Sequence, residues 1–128
     1  ACYATGRGEI LNSIQLNLSK YYFVLVNPGI HVNTKWAFEQ ITPAPSNKNL
    51  ASILSEPIEE WRDLLVNDFE APITKAYPTI GNIKNQLYQL GASYAAMSGS
   101  GSTVFGIFKM KPSDKIKSAF DCSVFITS

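Results

Sequence analysis

Residues 93–108, SYAAMSGSGSTVFGIF, constrain the fold more tightly than any other stretch, because two apolar runs flank a loop made only of serine and glycine. Residues 94–97 and 103–108 are rich in aromatic and β-branched side chains over strand length, which predicts two strands joined by that loop. Between Ser98 and Ser102 no side chain exceeds a hydroxymethyl, and Gly99 and Gly101 are free to take positive φ. Such a loop has two uses. It relieves a hairpin turn while serine keeps it solvated, or its successive N–H groups converge as a nest on an anion.

The other elements can be placed against this pair. The run YYFVLV at 21–26 is nearly apolar on both faces and predicts a central strand, stopped by the turn at Asn27, Pro28 and Gly29. Ahead of it, residues 1–18 predict a strand or two interrupted at Gly6-Arg7-Gly8, either a plain turn or a place where backbone approaches a ligand. The clearest helix opens at Tyr77-Pro78, carries Ile80, Ile83, Leu87 and Leu90 as one stripe, and closes at Gly91. It leads directly into the strand pair, so its stripe is expected against Val104 or Phe105. A short helix capped by Asn33 or Thr34 carries Trp36, Ala37, Phe38 and Ile41 and is stopped by Pro43 and Pro45. A polar loop from Ser46 leads into a second short helix at LASIL, and a third opens at Glu56-Pro57 with Ile58, Trp61 and Leu65 on one face. Residues 67–72 break or kink that run, because Pro72 has no N–H to donate. A last helix over 113–120 and a strand over 123–126 complete the chain. The order suits an α+β sandwich, an antiparallel sheet with helices packed on one face.

A length of 128 residues with 45% hydrophobic content is enough for one domain with a real core. Eleven basic residues against ten acidic ones leave +1, and the lysines at 109–117 alternate with acids and apolars, so a nucleic-acid partner is not expected. A small molecule or protein is. Cys2 and Cys122 are expected as free thiols in a reducing cytosol. No apolar run approaches the roughly 20 residues that cross a bilayer and no signal-peptide pattern opens the chain, so no membrane partner and a cytoplasmic location are expected. The start at Ala1, inside a strand-like stretch, suggests a piece of a longer chain.

Candidate chemistry is sparse. His31 is the sole histidine and has no partner pattern, so it is expected on a solvent-facing loop. Glu59 and Glu60 suit a helix N-terminus, and Asp68 and Glu70 diverge on a helix, which favours capping and pairing over a metal site. Trp36 and Phe38 lie about 200° apart round a helix axis, so one ring is expected in the core and the other is free to face a ligand. Which ring does which stays open.

The stretch SGSGSTVFG at 98–106 resembles the third signature motif of the GHMP small-molecule kinases, which include galactokinase, homoserine kinase and mevalonate kinase. Four further stretches, ATGRGEIL at 4–11, NPGIHVNT at 27–34, NDFE at 67–70 and LGA at 90–92, follow in the order found in the C-terminal half of the branch acting on 4-diphosphocytidyl-2-C-methyl-D-erythritol. The resemblance covers nearly the whole chain. It implies that residues 1–128 are a single ferredoxin-like C-terminal domain whose N-terminal, ATP-binding partner domain is absent. It further implies transfer of the γ-phosphoryl of ATP to the substrate's 2-hydroxyl, in isoprenoid-precursor biosynthesis by the non-mevalonate route. ATP and Mg2+ would serve the full-length enzyme, with neither expected in this piece. The cytidine diphosphate substrate would be met by Thr34 near it and Phe38 stacked on its cytosine, while Ser98, Gly99, Ser100, Gly101 and Ser102 would support the phosphate-binding loop. The family's ATP loop, catalytic Asp and assisting Lys belong to the N-terminal domain, so no catalytic residue and no metal ligand is assigned, and inactivity of the piece alone is expected. The alternative of another class is a freestanding ligand-binding or regulatory module using the same loop as its anion site.

Overall fold

The computed structural model describes residues 1–44 and 49–127; the expectations for Pro45 and for the polar loop beginning at Ser46 lie outside the described residues. The strand pair is present as β4 (Tyr94–Met97) and β5 (Val104–Phe108), antiparallel and joined by the serine-glycine loop. The YYFVLV run supplies β3 (Tyr22–Asn27), which pairs with β5 on one side and with β6 (Ser123–Ile126) on the other. Sheet order is β4-β5-β3-β6, with every neighbour antiparallel. With α5 (Pro78–Gln89) between β3 and β4 and a 3-10 helix, Asp114–Ala119, between β5 and β6, this is the ferredoxin-like split β-α-β arrangement. Separate from it, β1 (Cys2–Thr5) and β2 (Ile10–Ser13) form a two-stranded hairpin turning at Gly6 to Glu9.

Register decides which side chains meet. Val24, Gly106 and Ala95 lie opposite one another, as do Val26, Val104 and Met97, and all face Ile80, Ile83 and Leu87 of α5 and Ile73 of α4 (Glu70–Ala76). A side chain at Gly106 would place its Cβ 3.0 Å from Phe108 and 3.3 Å from Leu87, so glycine there lets α5 lie close on the sheet. The helix ends as the pattern predicts. Gly91, at φ 100°, donates to the Tyr88 carbonyl while Ala92 donates to that of Leu87, the paired bonds of a Schellman stop.

Two details differ from expectation, Leu90 and the cover of the sheet. Leu90 is 41% exposed and leaves the stripe, because it is the cap residue of α5 and sits past the last turn that faces the sheet. Of the two residues expected against the stripe, Val104 meets α5 as the sequence allowed, and Phe105 faces the other side of the sheet. The α+β class and antiparallel sheet are as expected, but cover is not confined to one face. On the second face Phe23, Tyr94, Ala96, Phe105 and Ile107 pack with Ile53 of α2 (Leu50–Ser55), with Ile58, and with Trp61 of α3 (Trp61–Leu64). That side was hidden because the 56–65 stretch is no regular helix: a 3-10 turn, Ile58–Glu60, precedes a single α turn. The turn stops at Leu65, whose carbonyl accepts from the Tyr94 hydroxyl at 2.8 Å. Burial of that phenol, and the charge of nearby Glu70, push its pKa well above the usual range.

Candidate functional site

The loop after β4 is drawn into a cradle by its own bonds. Ser98 N–H donates to the Thr103 carbonyl at 2.8 Å, and Gly101 N–H donates to that of Ser98 at 3.0 Å. Gly99 and Gly101 take positive φ, 55° and 91°, as such a turn requires. Bulk is excluded at Gly101, where a Cβ would stand 3.0 Å from Met97 Sδ and 3.5 Å from Val32. Among the described residues the N–H groups of Gly99, Ser100 and Ser102 have no protein acceptor. An anion held by backbone dipoles needs such unpaired donors.

Beside the loop opens a cavity of about 350 Å³, lined by Gly101, Ser102 and Thr103 on one side and by Asn27 and residues 29–32 on the other. The second wall exists because Asn27 Oδ1 accepts from Gly29 N–H at 2.8 Å, folding NPG back on itself with Gly29 at φ 71°. Its lining is mostly polar, and the exposed His31 belongs to it. Ser102 is the buried polar side chain of the region.

From this wall the chain enters α1 (Thr34–Glu39), capped by Asn33 Oδ1, which accepts from Trp36 N–H at 2.9 Å. The helix separates the two rings. Trp36 packs against the first core, edge-on to Tyr77 with centroids 6.2 Å apart, whereas Phe38 is 59% exposed. Phe69 meets Phe38 nearly at right angles, with centroids 5.0 Å apart and planes at 86°, and the exposure of Phe38 leaves ring surface for a flat ligand. Thr34, the first residue of α1, is exposed.

Phe69 belongs to a segment whose role the sequence did not reveal. Asn67 Nδ2 donates to the carbonyls of Met97 and Gly99, each at 2.9 Å. Glu70 accepts from Met97 N–H at 2.6 Å and pairs with Lys84 of α5. The expected pairing of Glu70 is present, but it holds a strand N–H and caps no helix, while Asp68 is exposed. Among the described residues no three His, Cys, Asp or Glu side chains converge as a metal site. Cys2 and Cys122 are free thiols, and burial raises the pKa of the second. No helix among the described residues is long and apolar enough to cross a membrane.

A four-stranded antiparallel sheet of ferredoxin-like order, with a serine-glycine loop between paired strands beside a polar cavity, is the arrangement that the resemblance to the GHMP kinases implied for a C-terminal domain. The family model for the C-terminal region of GHMP kinases matches residues 48–127, and the chain belongs to that family. It is 50% identical over 97 residues to the 4-diphosphocytidyl-2-C-methyl-D-erythritol kinase of Cytophaga hutchinsonii, covering 76% of this chain and 36% of that one. To the enzyme of the same name from Parabacteroides distasonis it is 44% identical over 121 residues, 94% of this chain and 45% of that one. The chain therefore spans less than half the length of these relatives. A crystal structure of 4-(cytidine 5'-diphospho)-2C-methyl-D-erythritol kinase superposes with a TM-score of 0.79 at 22% identity, over 98% of this chain and 48% of that one, a likeness of fold.

Proposed function

We propose that this chain is the substrate-side half of a kinase that transfers the γ-phosphoryl of ATP to the 2-hydroxyl of 4-diphosphocytidyl-2-C-methyl-D-erythritol, in the cytoplasmic synthesis of isoprenoid precursors. The observation that carries it is the pairing of a serine-glycine loop, with three N–H groups unpaired among the described residues, and an exposed aromatic ring on the neighbouring helix. Those are the two recognition elements that a nucleoside diphosphate ester demands, backbone donors for phosphate and a face for the base. The 44% to 50% identity with kinases of that name supports the same substrate.

In this proposal Phe38 stacks on cytosine, Thr34 lies beside the substrate, and the loop from Ser98 to Ser102 supports the phosphates at the cleft. Phosphoryl transfer also needs an ATP cradle, charge neutralisation and an oriented nucleophile. ATP, Mg2+ and the groups that orient the hydroxyl belong to a further, N-terminal domain. Ile10 at 53% and Leu11 at 65% exposure on the β1–β2 hairpin support a second body of protein against that hairpin.

The test is turnover. The full-length enzyme is expected to release ADP in step with phosphorylation of the cytidine substrate, and the 128-residue chain alone to release none above background. A full-length enzyme that ignores the cytidine substrate but phosphorylates another alcohol would replace the substrate. Turnover by the isolated chain would place the chemistry inside these residues.

A further inference from the structure

Strand β4 is an edge of the sheet, and its last residue, Met97, turns both backbone groups outward, away from β5 and immediately before the loop. An edge N–H and C=O left to water at that point would leave the start of the loop free to fray. Neither is left to water. Glu70 takes the Met97 N–H, Asn67 takes the Met97 carbonyl, and the second Asn67 hydrogen reaches on to the Gly99 carbonyl inside the loop. The amide orientation follows from its partners: two carbonyls require the NH₂, and Phe69 N–H requires the oxygen, to which it donates at 3.0 Å. All the capacity of Asn67 for donating hydrogen bonds is thus spent on the loop and its entry.

The bracket is anchored on both sides. Glu70 begins α4, its side chain is only 12% exposed, and its other oxygen pairs with Lys84 on α5. Asn67 lies in the break between α3 and α4, tied by Glu70 N–H to the Asn67 carbonyl at 2.9 Å. Pro72 stands in the first turn of α4, where a missing N–H removes no helix bond. Between the two polar residues, Phe69 packs on the first core and meets exposed Phe38 in a T-shaped contact. One segment of four residues therefore touches the loop at one end and the exposed ring at the other.

We infer that Asn67 and Glu70 are positioning residues for the 98–102 loop, and that Phe69 sets the attitude of Phe38, so that this segment fixes the phosphate side and the base side of the substrate relative to each other. The inference rests on the proposed kinase function for its effect on turnover, but not for its effect on the loop.

The experiment uses the full-length enzyme with Asn67→Ala, Asn67→Asp, Glu70→Gln and Phe69→Leu. Kinetics with ATP and the cytidine substrate are measured beside amide hydrogen exchange at Ser98 and Gly101, whose N–H groups are bonded within the loop, with α5 and β5 amides as the internal standard. Asn67→Asp keeps the shape but cannot donate to two carbonyls, so it is expected to match Asn67→Ala: kcat down tenfold or more and loop exchange at least tenfold faster, with the standard unchanged. Glu70→Gln, which loses the charge facing Lys84, is expected to lower kcat less and in the same direction. Phe69→Leu should instead raise KM for the cytidine substrate several-fold with kcat nearly kept. Wild-type behaviour of Asn67→Asp would overturn the donor role. Equal acceleration of exchange in loop and standard would show that these residues hold the fold and not the loop, and a loosened loop with unchanged kcat would end their positioning role. If the wild-type enzyme does not turn over the cytidine substrate, the kinase proposal fails by itself, and the exchange data still decide whether Asn67 and Glu70 hold the loop.

Discussion

Replacing Leu87 with alanine is expected to lower the unfolding free energy of this chain by about 2 to 5 kcal/mol, the range for emptying a closed core site. Leu87 has no exposed surface, and it meets β5 where Gly106 leaves only enough room for α5 to approach. The surroundings cannot collapse into the space, since Val24, Ala95 and Val104 are fixed by strand register and Ala92 by the Schellman bonds. Leu90→Ala, at the exposed end of the same helix, should cost under about 1 kcal/mol. Urea melts of the two variants measure both. A loss under about half a kcal/mol at Leu87 would mean that α5 does not close on the sheet.

Phe38→Ala in the full-length enzyme is expected to weaken binding of the cytidine substrate roughly tenfold to a hundredfold, the ~1 to 3 kcal/mol of an aromatic ring under a base. ATP affinity should hardly change. The ring is 59% exposed and meets Phe69 in a T-shaped contact at the surface, so its removal opens no core cavity and should move the melting temperature little. Trp36 supplies the contrast: it is partly buried against the first core and edge-on to Tyr77, so Trp36→Ala should lower the melting temperature while leaving substrate affinity nearly intact. Calorimetric titration with substrate, beside thermal melts, separates the two. The opposite pattern would mean that the rings have exchanged roles, and small, equal effects on affinity would take the base pocket away from α1.

The parts legible in the sequence were those governed by local rules. Strand alternation, the loop of small residues and the Gly91 stop each follow from a few neighbouring residues, and all are present. The 200° separation of Trp36 and Phe38 foresaw one inward and one outward ring, and the structure supplied which. Long-range bonds were not legible. The 56–65 stretch has helical spacing, yet the turn stops at an extended Leu65, whose carbonyl is taken by the Tyr94 hydroxyl, 29 residues away. Asn67 and Glu70 looked like helix-end decoration because their partners, Met97 and Gly99, are about thirty residues distant in sequence and are backbone atoms that carry no side-chain signature. The sequence marked the NDFE stretch as a helix break, a carboxylate pair and a point of resemblance, with no sign of its bonds to the loop.

Amide hydrogen exchange of the full-length enzyme with and without 4-diphosphocytidyl-2-C-methyl-D-erythritol bears most directly on whether this half carries the substrate. Slower exchange is expected at Gly99, Ser100 and Ser102, whose N–H groups have no acceptor among the described residues, and across α1 around Phe38. Substrate that slows exchange only outside residues 1–128, leaving both the loop and α1 unchanged, would remove the substrate site from this chain.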